Sequence, residues 1–400
     1  MDKKSILFVN ESLACAGGEK SLLNLLSVLD YDRYDVYLQL FKYGCPWDRY
    51  IDSRVKVLPA LPYSKFTELS LPRAIVYAIF HGKINWFISR LKYSVALRRL
   101  HNLTNPDKAY LYWRYQSKCY KGIENKYDYV IAYAQGVPTF YVADKSPKDA
   151  ELLAWINATY LPDNPCKEFS ENRLRKFHVI NAVSEPIKDA VSCHWPSLTG
   201  KMTVFRDLIN PDMIEKMSKE KIDFEKQKGV LTLMTLGRLS PQKGYDITVE
   251  AANILKQKGV DFRWYILGGG VLEDEIRKGI KKYGLDDNLL LLGVKSNPYP
   301  YLKLADIYVQ TSRLEGFGLA IAEARLLDIP VVTTRFNTVF MQMVDGKNGL
   351  VTDINGQSVA EAIICLYSNK DLYASIVDYL KQEPKGNLET ISQFYQLLDH

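Results

Sequence analysis

The 400 residues include six cysteines, Cys15, Cys45, Cys119, Cys166, Cys193 and Cys365, with no CxxC pair and no short spacing to a histidine. That scatter excludes a disulfide framework and a zinc site of ordinary spacing, and it fits a reducing cytosol. His81, His101, His178, His194 and His400 form no HExxH or other ligand spacing, and His178, at the start of an apolar strand, reads as structural. The chain also lacks GxSxG, the elbow of a serine nucleophile, and GxGxxG, whose absence weighs against a dinucleotide. No cofactor and no metal are therefore expected. The opening MDKKSILFVNES has too short an apolar run for a signal peptide, and residues 5–9 read as a strand.

With 47% hydrophobic and 24% charged residues, the composition is that of a globular protein. At ~150 residues per domain, the length suggests two domains or three, with two the first expectation. The net charge of +6 is unevenly placed: residues 70–126 hold 11 Lys and Arg against Asp107 and Glu124. That segment alone carries +9, so the remainder is slightly acidic.

Short apolar runs alternate with helical-period segments, first ILFV (6–9), DVYLQLF (35–41), YVIAYA (129–134) and HVINAVS (178–184). A second series contains VLTLMTLG (230–237), WYILGGG (264–270), LLLLGV (289–294), DIYVQTS (306–312) and PVVTT (330–334). This rhythm is that of parallel α/β units, so two doubly wound domains are expected, with ligand-ready loops at the carboxyl ends of their strands. The charged stretch 215–229 reads as a linker or exposed helix, giving domains over 1–205 and 206–384. Residues 385–400 restart a short helix that is expected to return to the first domain.

Three loops carry the candidate chemistry. Gly17 and Gly18 lie between the first strand and its helix, where backbone amides can approach an anion; an ordinary flexible turn is the alternative. In LGRLSPQKGYD (236–246), Arg238 and Lys243 can converge on one diphosphate, or can be two solvated cations. In SRLEGFGLAIAEA (312–324), the amides of Gly316, Phe317, Gly318 and Leu319 stand at a helix start, flanked by Glu315 and Glu323. Eight residues separate the two carboxylates, about 12 Å if helical. Carboxylates bind vicinal diols, so one ligand can place a sugar at Glu315, phosphates at the amides and a ribose at Glu323. A nucleotide-sugar has that order of groups.

The last stretch resembles the retaining glycosyltransferases of family four, which have the GT-B fold and carry two glutamates separated by seven residues, here Glu315-Gly316-Phe317-Gly318-Leu319 with Glu323-Ala324. GRLSPQKG, NPYPYLKLADIYVQTS, IPVVTT and DGKNGLV resemble the same family, and GGEKSLLNLL, YDYVIAYAQG and VSEPIKD resemble members that build bacterial surface polysaccharides. The likeness is strong over 230–352 and loose before 130. It implies two Rossmann-like domains facing a cleft, and transfer of a sugar, in the first instance from a UDP-sugar, to a saccharide or lipid-linked acceptor. It further implies that Arg238, Lys243, Gly18 and residues 316–319 hold the donor diphosphate, Glu315 its sugar, Glu323 the ribose and backbone near Val294 the base. Asn157 stands where many members have a catalytic histidine; an amide binds a hydroxyl but cannot become a cation. No DxD lies on a strand end, as a metal-dependent transferase of the other main fold would require. A GT-B epimerase or phosphorylase, and a non-catalytic partner that binds nucleotide-sugar at a membrane assembly, are the rival readings.

Residues 73–100 read as an amphipathic basic segment in which Ile84, Phe87, Ile88, Leu91 and Val95 recur at helical spacing. Gly82 and the charges interrupt the ~20 apolar residues that a membrane span requires. A peripheral contact with an anionic leaflet is expected, with Trp86 and Phe87 at the surface; a core-facing helix with a solvated basic face is the plainer alternative. Aromatics and bases interleave in residues 110–118, but without a recognised fold no nucleic-acid partner is expected.

Overall fold

The computed structural model describes residues 3–14, 17–100, 103–158 and 161–399. The chain folds as two compact units, one running to Arg206 and resuming at Thr390, the other Asp207–Glu389. Cys15, His101 and His400 lie outside the described residues.

The first unit is a seven-stranded parallel sheet. Its strands are β1 (Lys4–Asn10), β2 (Tyr34–Leu40), β3 (Lys56–Val57), β4 (Tyr129–Ala132), β5 (Glu151–Ile156), β6 (Val179–Ala182) and β7 (Met202–Val204), in the order β3-β2-β1-β4-β5-β6-β7. Ile6 to Val9 are almost wholly buried, as expected of a strand covered on both faces. The helix α1 (Gly17–Val28) follows β1, and the order reverses between β1 and β4. The strand β5, ELLAWI, was not among the expected strands: an apolar run buried on both faces has no alternation to mark it. The helix Ile391–Leu398 belongs to this unit. Its Phe394 stacks 6.3 Å from Phe8, and the Tyr395 hydroxyl accepts the Asp30 amide at 2.8 Å.

Between β3 and β4 come α2 (Pro62–Glu68), α3 (Leu71–Phe80), α4 (Ile84–Arg99) and α5 (Asn105–Gln116). The single amphipathic segment expected over 73–100 is two helices, broken where Gly82 takes a φ of +61°. Trp86 is not at the surface as expected. Its indole is buried against Tyr63 (5.2 Å), Phe66 and Tyr77, because an aromatic pocket offers it more contact than solvent does. In α5, Trp113 is fully buried and Tyr110 and Leu111 nearly so, so these residues serve packing.

The second unit is a six-stranded parallel sheet. Its strands are β8 (Leu231–Leu236), β9 (Phe262–Leu267), β10 (Leu289–Gly293), β11 (Ile307–Gln310), β12 (Val331–Thr334) and β13 (Gly349–Thr352), in the order β10-β9-β8-β11-β12-β13. Helices cover both faces, and one core cluster joins β8, β9 and β11 to the helices Tyr245–Gln257 and Gly356–Ser368. The order reverses between β8 and β11, the position where open α/β sheets take ligands, outside the carboxyl ends of the strands.

Candidate functional site

The loop after β8 is shaped by close backbone approaches. The Leu239 amide donates to the Gly269 carbonyl at 3.0 Å, and a Cβ on Gly270 would stand 2.5 Å from the Leu239 carbonyl oxygen. The Tyr245 hydroxyl donates to the Gly237 carbonyl at 3.0 Å. These ties fix the turn that presents Arg238 and Lys243. Arg238 is exposed and its guanidinium has no hydrogen-bond or ion-pair partner among the described residues. Lys243 does not share an empty site with it: its Nζ donates to Glu315 Oε1 at 2.6 Å. An ammonium has three N–H groups, so two remain for a phosphate.

Glu315 lies in the loop after β11, before the helix Leu319–Leu326. Its Oε1 accepts three bonds of 2.6 Å, from Lys243 Nζ, Gln310 Nε2 and Ser312 Oγ. The Gln310 amide is itself oriented, because its Oε1 accepts the Tyr308 hydroxyl at 2.7 Å. Tyr308 is fully buried, and burial, with the Glu315 charge second, raises its hydroxyl well above the ordinary range and keeps it a donor. Glu315 Oε2 has no partner among the described residues. The carboxylate is thus locked through one oxygen and presents the other, the pre-organisation that hydroxyl recognition requires.

Gly318 caps the helix at φ +84°. The N–H groups of Gly316, Phe317, Gly318 and Leu319 have no acceptor among the described residues, while Ile321 and Ala322 donate back to Gly318. Phe317 is buried, so its contribution is its amide. Glu323 differs from Glu315: it is 1% exposed and accepts the Tyr299 hydroxyl at 3.0 Å. Val294 follows β10 and is 62% exposed, packed so close to the turn after β9 that a Cβ on Gly269 would meet its Cγ2 at 3.0 Å. The second unit thus gathers an unpaired guanidinium, a lysine, a locked carboxylate, free amides and an exposed apolar shelf at the carboxyl edge of one sheet.

In the first unit, Gly18 and Asn157 are neighbours, since a Cβ on Gly18 would lie 2.9 Å from Asn157 Nδ2. That amide nitrogen donates to the Tyr133 carbonyl at 3.1 Å, and Asn157 Oδ1 is buried without a hydrogen-bond partner. A pocket of about 780 Å³ lies at this sheet's reversal point, lined by the ends of β1 and β4 and by α2, α4 and α5. His178 accepts the Leu152 amide at 2.9 Å and is structural. Sequence reasoning missed Gln310 and Ser312, which the spacing QTSxxE would have suggested, and Tyr299, for which it offers no signal.

Two doubly wound units, with anion-receptive loops at the reversal point of the second, define a two-unit α/β protein of the doubly wound class. Residues 216–383 match the family Glycosyl transferases group 1. An uncharacterized glycosyltransferase of Methanocaldococcus jannaschii is 24% identical over 209 residues, 48% of this chain and 50% of that protein. The N-acetylgalactosamine-N,N'-diacetylbacillosaminyl-diphospho-undecaprenol 4-alpha-N-acetylgalactosaminyltransferase of Campylobacter jejuni is 30% identical over 127 residues, 32% of this chain and 34% of that one. The chain spans half or less of the length of these curated relatives. Among solved structures, Anabaena HepE in complex with UDP and glucose matches 98% of this chain and 99% of its own at a TM-score of 0.66 and 18% identity. The fold is therefore GT-B. Among the described residues, no helix is long and apolar enough to cross a membrane and no group of three acidic, His or Cys side chains is arranged to hold a metal ion.

Proposed function

We propose that this protein is a retaining, metal-independent glycosyltransferase that moves a sugar from a UDP-sugar to a saccharide or lipid-linked acceptor in cell-surface polysaccharide biosynthesis. The observation that carries this reading is the Glu315 carboxylate, held by three donors through one oxygen beside free amides and an unpaired Arg238. The presence of UDP and glucose in HepE, and the lipid-diphosphate acceptor in the name of the Campylobacter relative, support it.

In this reading Glu315 Oε2 accepts donor-sugar hydroxyls, and residues 316–319, Arg238 and the two remaining Lys243 N–H groups take the diphosphate. The base rests near Val294. Glu323, buried and bonded to Tyr299, meets the ribose from beneath. As the anomeric carbon parts from the diphosphate oxygen, these donors stabilise the developing charge, and the acceptor hydroxyl attacks the same face, passing its proton to the leaving phosphate. In the first unit, Gly18 and Asn157, with its unpaired Oδ1, form a separate polar corner suited to a sugar hydroxyl.

Incubating the full chain with UDP-glucose, UDP-galactose and UDP-N-acetylglucosamine tests this: one of them should release UDP, faster with a saccharide acceptor present. No UDP release from any nucleotide-sugar would overturn the reading, and product formed without acceptor consumption would favour an epimerase. Arg238→Ala should raise the donor KM about 10- to 100-fold, the range of one charged hydrogen bond, with little change in thermal stability because its head is solvated.

The peripheral membrane reading has its own support. The helix α3 buries Ala74 and Ala78 and leaves Leu71, Ile75, Val76, Ile79 and Phe80 exposed, Phe80 by 81%. On α4, Ile84, Ile88, Leu91 and Val95 are exposed beside Arg90, Lys92, Arg98 and Arg99. A monomer rarely leaves so many large apolar groups in water, and basic neighbours suit anionic headgroups, at the inner face of the cytoplasmic membrane in this reading. Ile79→Asp with Phe80→Asp should lower binding to phosphatidylglycerol vesicles at least about tenfold, since each buried apolar side chain contributes roughly 1.5–3 kcal/mol. Equal sedimentation of variant and parent would remove membrane contact from the proposal.

A further inference from the structure

The pocket in the first unit has no role in the donor chemistry, and its walls indicate what it takes. It lies where the sheet order reverses between β1 and β4, with Glu11 and Ser12 from the end of β1 and Gln135 and Gly136 from the end of β4. Aromatic side chains supply much of the remaining wall, notably Tyr93, Tyr112 and Trp195. Flat apolar faces with a few hydrogen-bonding groups between them suit a sugar ring, whose C–H face stacks while its hydroxyls bond.

Two carboxylates, Glu11 and Glu68, line this wall, and Glu11 is the one that stands at the sheet's reversal point. Its backbone carbonyl accepts the amides of Phe41 and Lys42 at 3.1 and 2.9 Å, which fixes its position. Its carboxylate has no hydrogen-bond or ion-pair partner among the described residues, although Lys42 and Lys108 line the same pocket. Glu11 is exposed toward the lumen, and partial desolvation by the surrounding protein raises its carboxyl above the ordinary value. The nearby phenols do not relieve it: Tyr112 and Tyr120 pair with each other at 2.5 Å, and Tyr120 also meets Ser64. A carboxylate held by its own backbone and open to the lumen presents acceptor oxygens to a hydroxyl that enters the pocket.

We propose that Glu11 determines acceptor specificity, accepting a hydrogen bond from one hydroxyl of a saccharide seated in this pocket. The inference rests on the glycosyltransferase reading and names the residue that selects its second substrate. Tyr93, from α4, lines the pocket, while Ile88 and Leu91 on the same helix are exposed. A saccharide carried on a lipid therefore suits the site: the sugar enters the pocket and the lipid stays beside the apolar helix face.

The test compares the full chain with Glu11→Gln, using octyl glycosides of glucose, galactose and N-acetylglucosamine as acceptors, then the monodeoxy derivatives of whichever accepts transfer. Glu11→Gln should raise the acceptor KM about 10- to 100-fold while leaving the donor KM and the acceptor-free release of UDP unchanged. Removing one particular hydroxyl should cost the parent the same factor and cost Glu11→Gln almost nothing. If every deoxy acceptor penalises parent and variant alike, Glu11 reads no hydroxyl and the proposal is overturned. If the parent itself releases no UDP from any donor, the glycosyltransferase reading fails instead. Saccharide-induced quenching of tryptophan fluorescence, with Trp195 in the wall, then tests the pocket alone: weaker quenching in Glu11→Gln supports the role, and equal quenching overturns it.

Discussion

Glu315→Ala should lower sugar transfer about 10²- to 10³-fold, the usual cost of removing one pre-organised polar group from a reacting centre. The expected loss is in turnover more than in donor affinity, because the diphosphate contacts at Arg238 and residues 316–319 remain. The geometry adds a second effect. Lys243 is only 22% exposed on its side chain, and removing Glu315 leaves its ammonium, Gln310 Nε2 and Ser312 Oγ without their shared acceptor. That should cost roughly 1–3 kcal/mol of stability, the range for leaving a buried polar group unpaired. Glu315→Gln separates the two effects: its carbonyl oxygen retains an acceptor, so stability should fall less while transfer still falls. Transfer rates on variants shown to be folded by circular dichroism provide the check. Turnover unchanged in Glu315→Ala would sink the assignment of the donor sugar to this carboxylate.

The same ion pair makes Lys243 and Glu315 one functional element. Substituting either frees the other, so their effects on transfer should not add, and a double-mutant cycle should show coupling between them. Arg238, exposed and unpaired, should behave independently of both.

Much of this site was legible in the sequence because its parts sit in short contiguous stretches. The apolar run of β8 leading into GRLSPQKG and that of β11 leading into EGFGL announce strands followed by anion-receptive turns. The partnership within the site was not legible. Lys243 and Glu315 are 72 residues apart, and only the parallel pairing of β8 with β11 brings their loops together, so a reading by stretches paired Lys243 with Arg238 instead. The burial of Glu323 was equally hidden, since its partner Tyr299 lies 24 residues upstream on another element. In the first unit, helical periodicity suggested one basic segment over 73–100 but could not place the break at Gly82 or the aromatic pocket that encloses Trp86. Glu11 has no motif at all. Its significance comes from a pocket assembled from many elements far apart in the chain, and a lone glutamate in a loop is indistinguishable in sequence from a solvated one.

Gly244→Ala should be the most damaging single-methyl change in the second unit's site. Gly244 follows Lys243, caps the helix Tyr245–Gln257 and holds a φ of +63°, which an L residue adopts only at a cost of roughly 1–2 kcal/mol. Its added Cβ would also stand 2.1 Å from the Thr311 carbonyl oxygen, a backbone atom that cannot rotate away. Relieving that overlap means separating the β8 loop from the end of β11, which costs a further 1–3 kcal/mol or so by analogy with overpacked cores. Together these predict a fall in melting temperature of roughly 4–20 °C at about 2–4 °C per kcal/mol. Gly259→Ala is the matched control: its φ is +73°, and nothing lies within 4 Å of the new methyl group, so it carries the conformational cost alone. Function should separate the two further. Parting these loops pulls Lys243 from Glu315, and Thr311, whose hydroxyl donates to the Lys243 carbonyl at 3.0 Å, is at the point of strain. Donor binding by Gly244→Ala, measured below its melting temperature, should therefore fall about tenfold or more, the effect of losing one charged hydrogen bond, while Gly259→Ala binds as the parent does. Equal melting temperatures and equal donor affinities in the two variants would show that the approach of Gly244 to Thr311 does not hold this site together.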